Sequence, residues 1–145
     1  MAFAIAFLVF ELATIAGAWR FGGPTERAGA GILLAMVVVT YGGYGFLSPI
    51  FQNVDPVGLA VDLIGLAGFC WLGITSRKLW PIWAASLQLL STGAHLVRAL
   101  EIPVRAPVYY WMKGMPTLGV ILLLIGATWL HRRQHRRSKL PSSPN

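Results

Sequence analysis

At 145 residues, 56% of them hydrophobic and 12% charged, the chain carries about half the charged fraction of a soluble domain. Its mean hydropathy of +0.64 and net charge of +7 exclude an ordinary water-soluble globule and leave one small membrane-embedded domain. The lone cysteine, Cys70, excludes a disulfide framework; inside an apolar run it reads as an inert small hydrophobe.

Residues 1–19 are apolar apart from Glu11, Thr14 and the amino terminus. They lack a basic leader and are interrupted by an acid, so they predict a first transmembrane helix rather than a cleaved signal. Residues 20–27, RFGGPTER, read as a turn. The second span, 28–46, opens with AGAG, small residues that allow helices to approach closely, and closes with the interfacial aromatics Tyr41 and Tyr44. Residues 47–56 form a loop in which Asp55 before Pro56 predicts a helix cap. The third span, 57–75, carries Asp62 with Gly58, Gly65 and Gly73 on its face, a pattern for tight packing against a neighbour.

Residues 76–98, SRKLWPIWAASLQLLSTGAHLVR, are the stretch around which the chain is organised. Arg77 and Lys78 form a charged threshold, Trp80 and Trp83 suit a headgroup interface, and Pro81 sits in a first turn, where its missing N–H has no helical partner to lose. Gln88, Ser91, Thr92, His95 and Arg98 recur at three- and four-residue steps and share a face. Hydrocarbon offers such a stripe no hydrogen bonds, so it must face protein or a wet cavity.

A connection over 99–107 leads to the fifth span, 108–130, in which Pro116 implies either a kink or a later helix start. Residues 131–145 then predict a basic, disordered cytoplasmic tail attached to a bundle spanning 1–130. Arg132, Arg133, Arg136, Arg137 and Lys139 make that tail a candidate binder of anionic lipid headgroups.

Charge placement orients the bundle. The tail, the 20–27 turn and the 76–79 turn share one side and hold nine of the 12 Lys/Arg residues; only Arg98, Arg105 and Lys113 belong to the other. The positive-inside rule then predicts a cytoplasmic carboxyl terminus and an external amino terminus. A four-span reading, with the first segment at the surface, leaves the tail on the same side.

In this orientation Asp62 lies about 8 Å below the outer surface. Tyr41, Tyr44, His95, Arg98 and Lys113 fall at similar depth, forming a candidate buried polar layer. Glu11 lies near mid-membrane, close in depth to Gln88, and these two form a candidate proton site. Asp62 pairing with Lys113 or Arg98, and His95 donating to a carboxylate or carbonyl, would lock helix register. A carboxylate beside a histidine also suits proton exchange near neutral pH.

Other chemistry finds little support. A b-type haem needs two facing axial histidines, and only His95 lies within a span, so no cofactor is expected. His131 and His135 have metal-ligand spacing but stand among arginines, which oppose a cation, so no metal is expected. Ser91, Thr92 and His95 share a face without an evident oxyanion hole, and no catalytic residue is assigned. The net charge lies mostly beside the membrane, which points to lipid rather than nucleic acid.

Two resemblances are carried by named residues. Ser76–Arg77, Trp80–Pro81, Trp83–Ala84–Ala85, Gln88–Leu89 and His95–Leu96 resemble a stretch of small uncharacterised bacterial polytopic membrane proteins, which implies a membrane location and no activity. Glu11 is similar to the first-helix glutamate of small multidrug resistance transporters, which exchanges protons for cationic drugs. The fifth span, Asp62, Lys113 and the basic tail depart from that family, and its activity is not carried over.

The sequence therefore predicts an all-α integral membrane bundle of five transmembrane helices, multi-pass in a bacterial inner membrane. It reads as non-enzymatic, associating with itself or a larger membrane complex. The alternatives are a proton-coupled transporter or channel subunit using Glu11, Asp62 and His95, and a holin-like pore former.

Overall fold

The computed structural model describes residues 2–46, 55–100 and 106–138; the side chains of Arg98 and Lys113 lie outside the described residues. Five helices follow one another: α1 (Ala2–Phe21), α2 (Pro24–Phe46), α3 (Pro56–Ser76), α4 (Leu79–Ala99) and α5 (Ala106–Arg137). Each helix packs on the next in sequence, and α5 closes the ring on α1. Two-residue turns at 22–23 and 77–78 make α1/α2 and α3/α4 antiparallel hairpins.

The helices are inverted relative to a water-soluble fold. Ile5, Val38, Ile74, Leu89, Leu96 and Leu122 face outward, while Glu11, Glu26, Asp62, Gln88, Ser91 and His95 are buried. A soluble protein hides the first set and hydrates the second. Hydrocarbon supplies no hydrogen bonds, so polar groups turn inward and apolar ones meet lipid. Ala4–Phe21, Pro24–Gly45, Pro56–Ser76 and Met115–Arg137 are each long and apolar enough to cross a membrane. The segment that stands apart in composition is α4, not the first segment. Gln88, Ser91 and His95 lower its hydropathy, yet all three are buried within the bundle. The result is an all-α membrane bundle.

Several local expectations shift for physical reasons. The 20–27 turn is shorter than predicted: Pro24 opens α2, and the Gly23 N–H donates to Glu26 Oε2 at 3.0 Å. That is the back-reaching half of a capping box, with proline at the first helical position. The Asp55 cap forms as predicted, its Oδ1 accepting from the Gly58 N–H at 2.9 Å. At the far end of α3, Arg77 takes the left-handed conformation at φ 53° and stops the helix. In α5 the helix starts at Ala106, before Pro116, which lies within it. The same helix runs on to Arg137, so residues 131–137 of the predicted disordered tail are helical. Arginine has high helix propensity, and cations suit the negative end of a helix dipole. Lys139 lies outside the described residues.

The core is made of small, branched and aromatic side chains from all five helices, among them Ile15, Leu33, Phe69, Ala84 and Ile121. Trp80 departs from its expected interfacial role and packs edge-on against Phe69, ring centroids 6.2 Å apart. Gly29 makes room for it, since a Cβ there would sit 2.4 Å from Trp80 Cη2. Trp83 faces outward as expected; Cys70, read as lacking an exposed setting, is on the outer surface as well.

Candidate functional site

The α3–α4 interface carries the polar chemistry. Because the helices are antiparallel, successive steps up α3 meet successive steps down α4. Gly73 abuts Ile82, and a Cβ at Gly65 would sit 2.9 Å from Gln88 Cδ and 2.9 Å from Met36 Sδ. One turn further, Asp62 meets Ser91 and His95. Glycine at the middle step brings the backbones close enough for a short aspartate to reach the other helix.

At this point Ser91 Oγ donates to Asp62 Oδ2 at 2.6 Å, and His95 Nε2 stands 3.3 Å from the same oxygen. Asp62 is 6% exposed, Ser91 0% and His95 2%, so the three groups meet away from the bundle's surface. The carboxylate is the hub: Ser91 donates to it, and four residues along α4 the His95 imidazole stands within ion-pair distance of the same oxygen. In a hydrolase triad the imidazole stands between hydroxyl and carboxylate, so that it can take the hydroxyl proton. Here Ser91 directs its proton to Asp62, and the order is wrong for a serine nucleophile.

Of the predicted polar layer, Asp62 and His95 come together. Tyr41 and Tyr44 do not join them: both are more than half exposed, and the Tyr44 hydroxyl donates instead to Asp55 Oδ2 beside the α3 cap. An interfacial tyrosine keeps its ring in the apolar layer and its hydroxyl in the polar one, which turns it away from the bundle interior. The expected Asp62–Lys113 and Asp62–Arg98 pairs fall on side chains outside the described residues.

Glu11 and Gln88, grouped by depth as a candidate proton site, lie on different helix interfaces. Glu11 lies on the buried face of α1 with Thr14, Ile15 and Ala18, and α1 packs on α2 and α5. Gln88 lies between α3 and α2, its Nε2 3.9 Å from Met36 Sδ. Equal depth placed them in one layer, but the ring of helices sets them on different interfaces. Gln88 Oε1 is buried with no hydrogen-bond partner among the described residues.

Two features escaped the sequence reading. Periodicity puts Ser91 on the right face but does not pair it with Asp62, because a hydroxyl's partner depends on the rotation of the facing helix. Glu26 was placed in a turn, yet it is 1% exposed and ties the opposite end of the bundle together. Its Oε1 pairs with Lys78 Nζ at 2.8 Å, joining the start of α2 to the α3–α4 turn. His131 of α5 lies over the neighbouring α1–α2 turn, since a Cβ at Gly23 would sit 2.7 Å from His131 Cε1. His131 stacks on His135, centroids 6.3 Å apart. The signal for Glu26 was legible as Pro24 followed two residues later by glutamate, the first-turn pattern of a capped helix.

Of the predicted headgroup-binding residues, Arg132, Arg133, Arg136 and Arg137 are exposed along the last turns of α5. Among the described residues no group of three or more His, Cys, Asp or Glu side chains is placed to hold a metal. Compared with protein-family models, with curated proteins and with solved structures, the chain matches none.

Proposed function

We propose that this protein is a non-enzymatic helix bundle of the bacterial inner membrane, associating with itself or with a larger membrane complex, and that Asp62, Ser91 and His95 are the joint holding α3 to α4. The observation that carries this reading is the direction of the Ser91 hydrogen bond. It satisfies a buried carboxylate across a helix interface and commits the Ser91 hydroxyl to Asp62 rather than to the His95 imidazole. A second reading draws support from the His95–Asp62 contact of 3.3 Å, because a buried imidazole facing a carboxylate is suited to hold and release a proton. In that case the bundle is a proton-coupled transporter or channel subunit.

Reconstitution separates the two. With a pH-sensitive dye inside liposomes, the joint reading expects no proton flux above that of empty vesicles, for wild type and Asp62→Asn alike. It also expects the wild-type protein to migrate in mild detergent as more than one copy, or with a fixed partner. Flux that Asp62→Asn abolishes, with normal expression, would overturn the first reading and establish the second.

The bias of basic residues supports a cytoplasmic carboxyl terminus and an external amino terminus. The segments bearing Glu26, Lys78 and His131 share one end of the bundle, so the basic residues beside them fall on one side whichever way it faces. A green fluorescent protein fused after Asn145 should glow, and alkaline phosphatase fused there should be inactive. The opposite pair of results would reverse the orientation.

A further inference from the structure

We infer that the last turns of α5 form a discrete site for the phosphate of an anionic phospholipid, rather than only a diffuse basic patch. Trp129, Arg132, Arg133 and Arg136 line an open groove of about 460 Å³. Their spacing places all four on one helix face, and Arg137 falls off it. The volume lies within the range of about 300–1,000 Å³ common for small-ligand pockets.

Two of the three guanidinium groups are already placed. Arg132 Cζ lies 4.4 Å from the centroid of the Phe21 ring on α1, and Arg133 Cζ lies 5.2 Å from that of Trp129. Stacking of this kind holds the planar fork while leaving its N–H edges free for phosphate oxygens. A preformed site loses less side-chain freedom on binding. The groove's charge is also uncompensated. Among the described residues, the carboxylate at this end is Glu26, and it is committed to Lys78.

Favourable interaction with the helix dipole accounts for cations in the last turn of α5. It does not account for a tryptophan wall, nor for an arginine stacked on a different helix. The groove lies at the end of the apolar segment Met115–Arg137, where a headgroup and the start of an acyl chain meet the protein together. Exposed Trp129 suits the acyl boundary, and the arginines suit the phosphate. That combination selects a lipid phosphate over a free one. The site is independent of the Asp62 centre.

The test is native mass spectrometry of the full chain released from nanodiscs of phosphatidylcholine containing a minor fraction of phosphatidylglycerol. Wild type should retain phosphatidylglycerol above its share of the bilayer. The combined Arg132→Gln, Arg133→Gln and Arg136→Gln variant should lose that retention by about tenfold. A control that spares the headgroup-binding residues, Arg27→Gln with Arg77→Gln, removes two charges at the same end but outside the groove and should change it by less than about threefold. Trp129→Ala, which alters no charge, should weaken retention too, so the site can be judged even if the triple variant loses its fold by circular dichroism. Equal losses in groove and control variants would reduce the site to diffuse attraction. Unchanged retention in Trp129→Ala and the folded triple variant would overturn it outright. Competition by millimolar glycerol phosphate would show that the groove takes free phosphate and would overturn its assignment to lipid.

Discussion

Asp62→Asn and His95→Leu should each destabilise the bundle, and the double variant should lose less than their sum. The two groups lie 3.3 Å apart with Ser91 donating to the same carboxylate, so removing either leaves the other short of its partner inside the protein. In a water-soluble protein, breaking a buried ion pair costs about 3–5 kcal/mol. That figure overstates the case here. A dispersed helix in a bilayer also seeks internal partners for its polar groups, and measured interhelical polar contacts average about 0.6 kcal/mol with a maximum near 1.7. The Asp62 hub unites two partners and is closed to the surface, so a coupling of about 1.5 kcal/mol, near the upper limit, is expected. Unfolding by titration of detergent-solubilised protein with dodecyl sulfate measures it. Additive losses would remove His95 as the partner of Asp62. The same cycle with Lys113→Met then decides whether the lysine expected from the sequence carries the coupling instead.

Gly65→Leu should be the most damaging single change in the apolar interface. Already at Cβ the new side chain meets Gln88 and Met36 at 2.9 Å, and the remaining branches have to displace α4, α2 or both. Overpacking a well-filled core costs about 1–3 kcal/mol, and a three-helix junction belongs at the top of that range. Displacing α4 would also draw Ser91 and His95 from Asp62 one turn away, so the Gly65→Leu and Ser91→Ala losses should not add. Gly93→Ala is the matched control. Among the described residues nothing lies within 4 Å of a Cβ there, so alanine should be neutral or stabilising by about 0.5 kcal/mol, by restricting the dispersed chain. The same dodecyl sulfate titration reads both. A wild-type midpoint for Gly65→Leu would show that α2, α3 and α4 are not closely packed at this level.

The helices were legible where the chain carries its own punctuation. Asp55–Pro56 marks the start of α3 by a cap that depends on residues next to one another. The end of the α1–α2 hairpin was misread as a longer turn, although Pro24 and Glu26 are also local signals. There the glycines drew attention to a break and obscured how soon the next helix begins. The end of α5 was misread for a related reason. Arginines and histidines beyond the apolar run suggested a solvated coil, but the helix already formed by the preceding residues extends at little cost per residue.

The candidate site divides along the same line. Composition and charge determine a membrane bundle, because a bilayer permits few ways to satisfy the backbone of a chain this apolar. Periodicity determines that Gln88, Ser91 and His95 share one face of α4, because 3.6 residues per turn is a property of the helix alone. Which groups that face meets was decided only by tertiary structure. Depth along the membrane follows from counting residues, but rotation of each helix and its neighbours around the ring do not. Depth alone grouped Glu11 with Gln88, and Tyr41 with Asp62. Packing placed Glu11 toward α2 and α5, turned the tyrosines outward, and set Asp62 against Ser91 and His95 through the close approach that Gly65 allows.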